Sequence, residues 1–233
     1  MRKPSCPRYP LGLDLGQSRD HTALTALDLT FPDFGLNPWD RSRFEWPCLR
    51  LLYAARLPLG TDYIQVPRHV DRVIQEIHRR QPFPGHSKVE IDLYVDSGGP
   101  GRPVVDLLRA RKLACHVRPL ALTGGDRAHR RADGHLSVPR RELLSNLRMI
   151  MEAGNLRLSP KLAEFPTLRD ELLTASLHGR QREHDDLAVS LSLAVWAVSN
   201  EYPDLRKPNP YMPARPEKLA AREKLLGSGK PAV

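Results

Sequence analysis

The segment DDLAVSLSLAVWAV, residues 185–198, is apolar almost all the way round at helical spacing. A helix without a polar face is enclosed by other elements rather than laid on a surface. A chain of 233 residues is long enough to bury such a core, and one large domain with tails is the expected arrangement. The helix opens on two adjacent aspartates, Asp185 and Asp186. Helix N-termini favour carboxylates through the macrodipole and the free N–H groups. Capping accounts for one of the pair and leaves the other over.

A second carboxylate stands where core is expected. In LGLDLGQSRDHTALTALD, residues 11–28, Asp14 lies within an apolar run. A buried carboxylate costs several kcal/mol unless hydrogen bonds, a counter-ion or a metal replaces its lost hydration. The runs 11–15 and 22–29 read as strands joined by the turn GQSRDH, and 49–57 reads as a third strand after an irregular stretch from Phe31 to Pro47. Residues 61–80 form an amphipathic helix with Pro67 in its first turn, where a missing N–H does no harm. KVEIDLYVDS, residues 88–97, alternates as a strand and ends on Asp96. A helix over 102–113 and a strand over 116–122 follow it, the pattern of a parallel crossover.

The basic, glycine-bearing segment 123–141 is expected to be an exposed loop. RRELLSNLRMIMEAG is a helix closed by Gly154, and 167–177 is another helix. The last thirty residues, rich in Pro, Lys and Arg, read as a mobile tail with one short helix at 216–226.

Asp14, Asp96 and the Asp185/Asp186 pair thus share one property: each sits at the edge of an apolar element. If the first and fourth strands are neighbours and the last helix crosses them, these carboxylates converge. Hard oxygen ligands in that number suit Mg2+ or Mn2+ rather than Zn2+. Two such ions about 4 Å apart clamp the attacking and leaving oxygens of a phosphodiester displacement. Taken singly, Asp14 also reads as a strand-end aspartate bonded to an N–H, Asp96 as a turn starter, and Asp185 as a cap.

Charge points the same way. The net charge is +9 and the isoelectric point about 9.8, and a basic surface gains affinity for nucleic acid by counterion release. No basic amphipathic helix with a membrane-seeking face is evident, and no segment is long and apolar enough to span a bilayer. The start MRKPSCPRYP lacks the apolar stretch of a secretory signal. Cys6, Cys48 and Cys115 are odd in number and far apart, which supports neither a disulfide framework nor a CxxC metal site. The expectation is a cytoplasmic protein with no membrane partner.

In order and spacing, LGLDLGQSRDHTAL, YVDSGGPGRPVVDLL, VPRRELLSNLRMIMEAGNLRL and HDDLAVSLSLAVWA resemble the C-terminal nuclease domain of phage terminase large subunits, over most of residues 10–200. The resemblance implies an α/β, ribonuclease H-like fold. Its mixed five-stranded sheet has three antiparallel strands and two parallel to the first, with helices on both faces. The expected division is residues 1–10 as an N-terminal extension, 11–200 as the nuclease domain that the resemblance implies, and 201–233 as a basic, proline-rich tail marked by its composition.

The resemblance further implies a two-metal endonuclease acting on double-stranded DNA, with Asp14, Asp96 and Asp186 as catalytic metal ligands and Asp185 as a fourth ligand or the cap. Arg127, Arg130, Arg131, Arg140 and Arg141 become candidate phosphate contacts, against the alternative of an ordinary solvated loop. His184 is a candidate for assisting proton transfer.

No GxxxxGK[ST] motif is present, and Met1 stands only a few residues before the first strand. The expectation is therefore a phage or prophage nuclease lacking its ATPase domain. Its partners would be DNA and a separate terminase ATPase, small terminase subunit or portal. The alternatives are a Holliday-junction resolvase, an actin-like ATPase suggested by the first hairpin, or a catalytically silent DNA-binding packaging module.

Overall fold

The computed structural model describes residues 3–16, 20–36, 43–80, 88–98, 101–130, 136–178 and 185–210. In chain order the elements are β1 (Arg8–Asp14), β2 (Ala23–Thr30), β3 (Asp33–Leu36), β4 (Arg43–Glu45), β5 (Cys48–Arg56), α1 (Val66–Arg79), β6 (Glu90–Asp96), α2 (Gly101–Ala110), β7 (His116–Thr123), β8 (His129–Arg130), β9 (Leu136–Pro139), α3 (Arg140–Glu152), β10 (Leu156–Arg157), α4 (Phe165–His178) and α5 (Asp186–Glu201). A 3-10 turn over Pro203–Arg206 follows α5. No helix among the described residues is long and apolar enough to cross a membrane.

Strands β1, β2 and β5 form the expected antiparallel meander, and β6 and β7 run parallel to β1. The sheet is larger than five strands, however. Its order is β10-β5-β2-β1-β6-β7-β9-β8, eight strands, with β3 and β4 as a separate two-stranded ribbon. The three additional strands are only two to four residues long, too short for alternation to declare them. Two of them, β8 and β9, fall within 123–141, so that segment is not simply a loop. Its residues 131–135 lie outside those described.

The two faces of the sheet carry different layers. Leu11, Leu13, Ile91, Leu93 and Val95 pack against the apolar stripe of α1 (Val66, Val70, Val73, Ile74, Ile77) and against α2. On the other face Ala23, Leu27, Ala54, Tyr94 and Leu120 meet α3, α4 and α5. Every residue of α5 from Asp186 to Ser199 is buried, as an all-round apolar helix requires.

α5 lies directly on β1. A Cβ placed on Gly12 would stand 1.8 Å from the Ser190 carbonyl oxygen. The Ser190 hydroxyl donates to the Gly12 carbonyl at 2.7 Å and lies 3.0 Å from the Thr25 hydroxyl. Gly154 closes α3 with φ +78°. Beyond α5 the chain stays packed: Leu205 is fully buried, and Asn155 donates to the Leu205 and Lys207 carbonyls at 2.8 Å. Residues 211–233, including the expected helix at 216–226, lie outside the described residues.

Candidate metal centre

Asp14 ends β1 and Asp96 ends β6, and these strands are parallel neighbours in a register that pairs Leu13 with Val95. The two carboxylates therefore leave the sheet side by side. Across the other neighbours Asp14 pairs with Ala23, and Ala23 with Arg56, the last residue of β5. One edge of the sheet thus carries Arg56, Ala23, Asp14 and Asp96 in a row.

The anchor at Gly12 brings α5 into line with this row. From Ser190 back to Asp186 the helix rises about 6 Å, and from Gly12 to Asp14 the strand rises about 6.6 Å. With Ser190 fixed on Gly12, Asp186 arrives level with Asp14. Asp185, Asp186, Asp96 and Arg140 all act electrostatically on Asp14.

That environment is short of positive charge. Burial, followed by repulsion from Asp96 and Asp186, raises the Asp14 pKa well above the ordinary carboxylate value, against a smaller lowering by Arg140. Burial also raises the Asp96 pKa, partly offset by the backbone N–H groups that its Oδ1 accepts, Gly98 at 2.8 Å and Leu122 at 3.4 Å. Asp186 is raised by burial and lowered by Arg56, and its Oδ2 is buried without a hydrogen-bond partner. Asp185 occupies the N-cap position of α5, but its side chain makes no cap bond; it pairs instead with the Arg140 guanidinium.

Two basic groups therefore stand among the acids, Arg140 and Arg56. Arg56 is itself tied to Glu171 of α4, a buried carboxylate that also accepts the Ala188 N–H at 2.8 Å. Hard oxygen donors, an orphaned carboxylate oxygen and excess negative charge fit a divalent cation.

A tighter acidic group lies at the opposite end of β6, where Glu90, Asp92 and His116 have ligand atoms within 4.8 Å of one another. Cations already occupy it. Asp92 accepts Arg8 at 2.9 Å and Arg118 at 2.7 Å, while Arg8 also lies 3.4 Å from Glu90 and pairs with Glu201 at the end of α5. This network is a clasp between the sheet and the helix terminus, with no need of a metal.

The expected arginine contacts separate. Arg140, the first residue of α3, points into the acidic centre rather than outward with the others. Arg127 and Arg130 are exposed, and Arg141 is exposed and paired with Asp126. Arg131 and His184 lie outside the described residues. Arg56 and Glu171 escaped sequence reasoning. A charge closing an apolar strand is the signal that marks Asp96, and it marks Arg56 equally. Glu171 in LRDELL is indistinguishable from the polar face of an amphipathic helix.

No protein-family model and no curated protein matches the sequence. Among solved structures, the human cytomegalovirus terminase nuclease domain, soaked with Mn and inhibitor-bound, matches over 84% of this chain and 85% of its own at 10% identity and a TM-score of 0.53. A second, Mn-soaked structure of that domain matches over 81% and 83% at 12% identity and a TM-score of 0.51. The large terminase nuclease of the thermophilic phage G20c, with bound zinc, covers 81% and 80% at 20% identity with a TM-score of 0.45. Resting on the two cytomegalovirus structures and on the meander, parallel pair and crossing helix above, the fold of this chain is the ribonuclease H-like fold of a terminase nuclease domain.

Proposed function

We propose that the chain is a metal-dependent endonuclease that cleaves double-stranded DNA, as in genome packaging by a terminase. The observation that carries this reading is the convergence of Asp14, Asp96, Asp185 and Asp186 at one sheet edge, with the buried Oδ2 of Asp186 unpartnered. Asp14, Asp96 and Asp186, with Asp185 as a fourth ligand, would hold two Mg2+ or Mn2+ ions. The Mn-soaked relative of the same fold supports this choice. Bound ions of this kind activate the attacking water and stabilise the leaving oxygen.

The protein's own groups do the rest. The Gly98 and Leu122 amides fix the rotamer of Asp96. Arg140, released from Asp185, presents a guanidinium to the non-bridging oxygens of the phosphate, where a charge-assisted bond gains most in the partly desolvated centre. The exposed Arg127, Arg130 and Arg141, together with Arg131, extend a sequence-independent backbone contact. The same reading supplies the partners: double-stranded DNA, and a terminase ATPase, small terminase subunit or portal, in the cytoplasm of a phage-bearing cell.

Purified chain incubated with supercoiled or linear plasmid is expected to nick and linearise it with Mn2+ or Mg2+ and not with EDTA. Asp96→Asn should abolish this cutting. Cutting by Asp96→Asn at the wild-type rate would remove Asp96 from the site, and preference for a four-way junction over plasmid would reassign the substrate to branched DNA.

A further inference from the structure

Glu171 is buried, 7% exposed, and both of its oxygens are engaged. Oε2 accepts the N–H of Ala188, in the first turn of α5, at 2.8 Å, and Oε1 accepts the guanidinium of Arg56. It is thereby unavailable as a metal ligand, although it lies close enough to Asp186 for the two carboxylates to repel. Arg56 stands in the same edge row as Asp14 and acts electrostatically on Asp186. Its Nε is buried without a partner, as is Asp186 Oδ2. A free donor and a free acceptor thus coexist in one centre, and the guanidinium remains turned toward Glu171.

We propose that Glu171 is a positioning residue of the metal centre. It fixes the N-terminus of α5 through Ala188 and holds Arg56 away from Asp186, so that this carboxylate stays open to a cation. The proposal rests on the metal-site reading above. Its physical basis is competition. A guanidinium deprived of Glu171 would be free to turn to Asp186, on which it already acts electrostatically, and a charge-assisted pair in a poorly solvated centre is strong enough to contest a metal for its ligand.

The test is Mn2+ binding to the full chain without DNA, followed by the electron paramagnetic resonance signal of free Mn2+. In Glu171→Gln the amide oxygen still accepts the Ala188 N–H, so helix docking is kept and only the charge that restrains Arg56 is lost. Mn2+ affinity is expected to fall by about 10- to 100-fold, the range for outer-shell partners. The double variant Glu171→Gln/Arg56→Met removes the freed guanidinium and is expected to restore most of the loss.

If Glu171→Gln binds Mn2+ as the wild type does while Asp186→Asn does not bind, the positioning role is wrong and the metal site stands. A double variant as weak as the single one overturns the role too, because Arg56 is then not the competitor. Should Glu171→Gln fail to fold, the double variant, which leaves no unpaired charge, decides alone: wild-type affinity upholds the role and lost affinity overturns it. A wild-type chain that binds no Mn2+ removes the metal site and this inference together.

Discussion

Asp14→Asn is expected to abolish DNA cleavage and, in EDTA, to raise the melting temperature. The two effects have one origin. Burial and the adjacent Asp96 and Asp186 carboxylates raise the pKa of Asp14 well above its ordinary value. The folded protein therefore binds a proton at Asp14 more tightly than the unfolded chain does. The stability associated with this group is fully present below about pH 4 and is lost as pH rises through the raised value. In the metal-free wild type, burial and the neighbouring carboxylates disfavour the charged form of Asp14, and asparagine, which carries no charge at any pH, removes that penalty while nearly preserving size.

Each kcal/mol relieved corresponds to about 2–4 °C in a domain of this size. With Mn2+ the order should reverse, because only the wild type gains stability by binding the ion. Loss of activity should exceed the roughly 10- to 100-fold typical of an outer-shell partner. Calorimetry of both proteins at neutral pH, with EDTA and with Mn2+, checks the prediction. A lower melting temperature for Asp14→Asn in EDTA would show that the carboxylate is compensated within the protein itself.

Gly12→Ala should produce the largest loss of stability of any Gly→Ala substitution among the described glycines. Its Cβ would lie 1.8 Å from the Ser190 carbonyl oxygen and 2.8 Å from the carbonyl carbon. Both are backbone atoms of a buried helix, which cannot rotate aside as a side chain would. Either α5 moves off the sheet or β1 bends, and overpacking of this kind costs about 1–3 kcal/mol or more. A fall in melting temperature of about 2–12 °C follows from the same scaling. Because Asp186 takes its height from the Gly12–Ser190 contact, Mn2+ affinity should fall as well. Thermal unfolding monitored by circular dichroism, alongside Mn2+ titration, reads both. A melting temperature within a degree of wild type would mean that α5 is not seated on β1 as described.

How much of this was legible in the sequence depended on whether a feature repeats within one element. The three meander strands, β6, β7 and the five helices all carry enough periodic residues to declare themselves, and Asp14 and Asp96 were visible as charges set against that periodicity. Strands β8, β9 and β10 hold two to four residues each and exist through their pairing, which a linear reading does not contain. Asp185 illustrates a different limit. Its position is that of a cap, but a guanidinium 45 residues away claims its carboxylate, and local preference yields to that longer-range charge. Arg56 and Glu171 were hidden for the same reason: an ion pair across 115 residues has no local signature.

Helix α5 touches the sheet at three heights: Glu201 pairs with Arg8 at one end, Ser190 rests on Gly12, and Asp186 closes the edge beside Asp14. The acidic centre is therefore assembled from the termini of the most deeply buried elements, not from a detachable lid. Proteins commonly open in parts, with binding regions among the first to loosen. Here the helix that supplies Asp186 is also the spine of the hydrophobic core. Warming is then expected to extinguish the centre and dissolve the tertiary structure in a single cooperative event, leaving little temperature range in which the chain is folded but unable to gather its carboxylates.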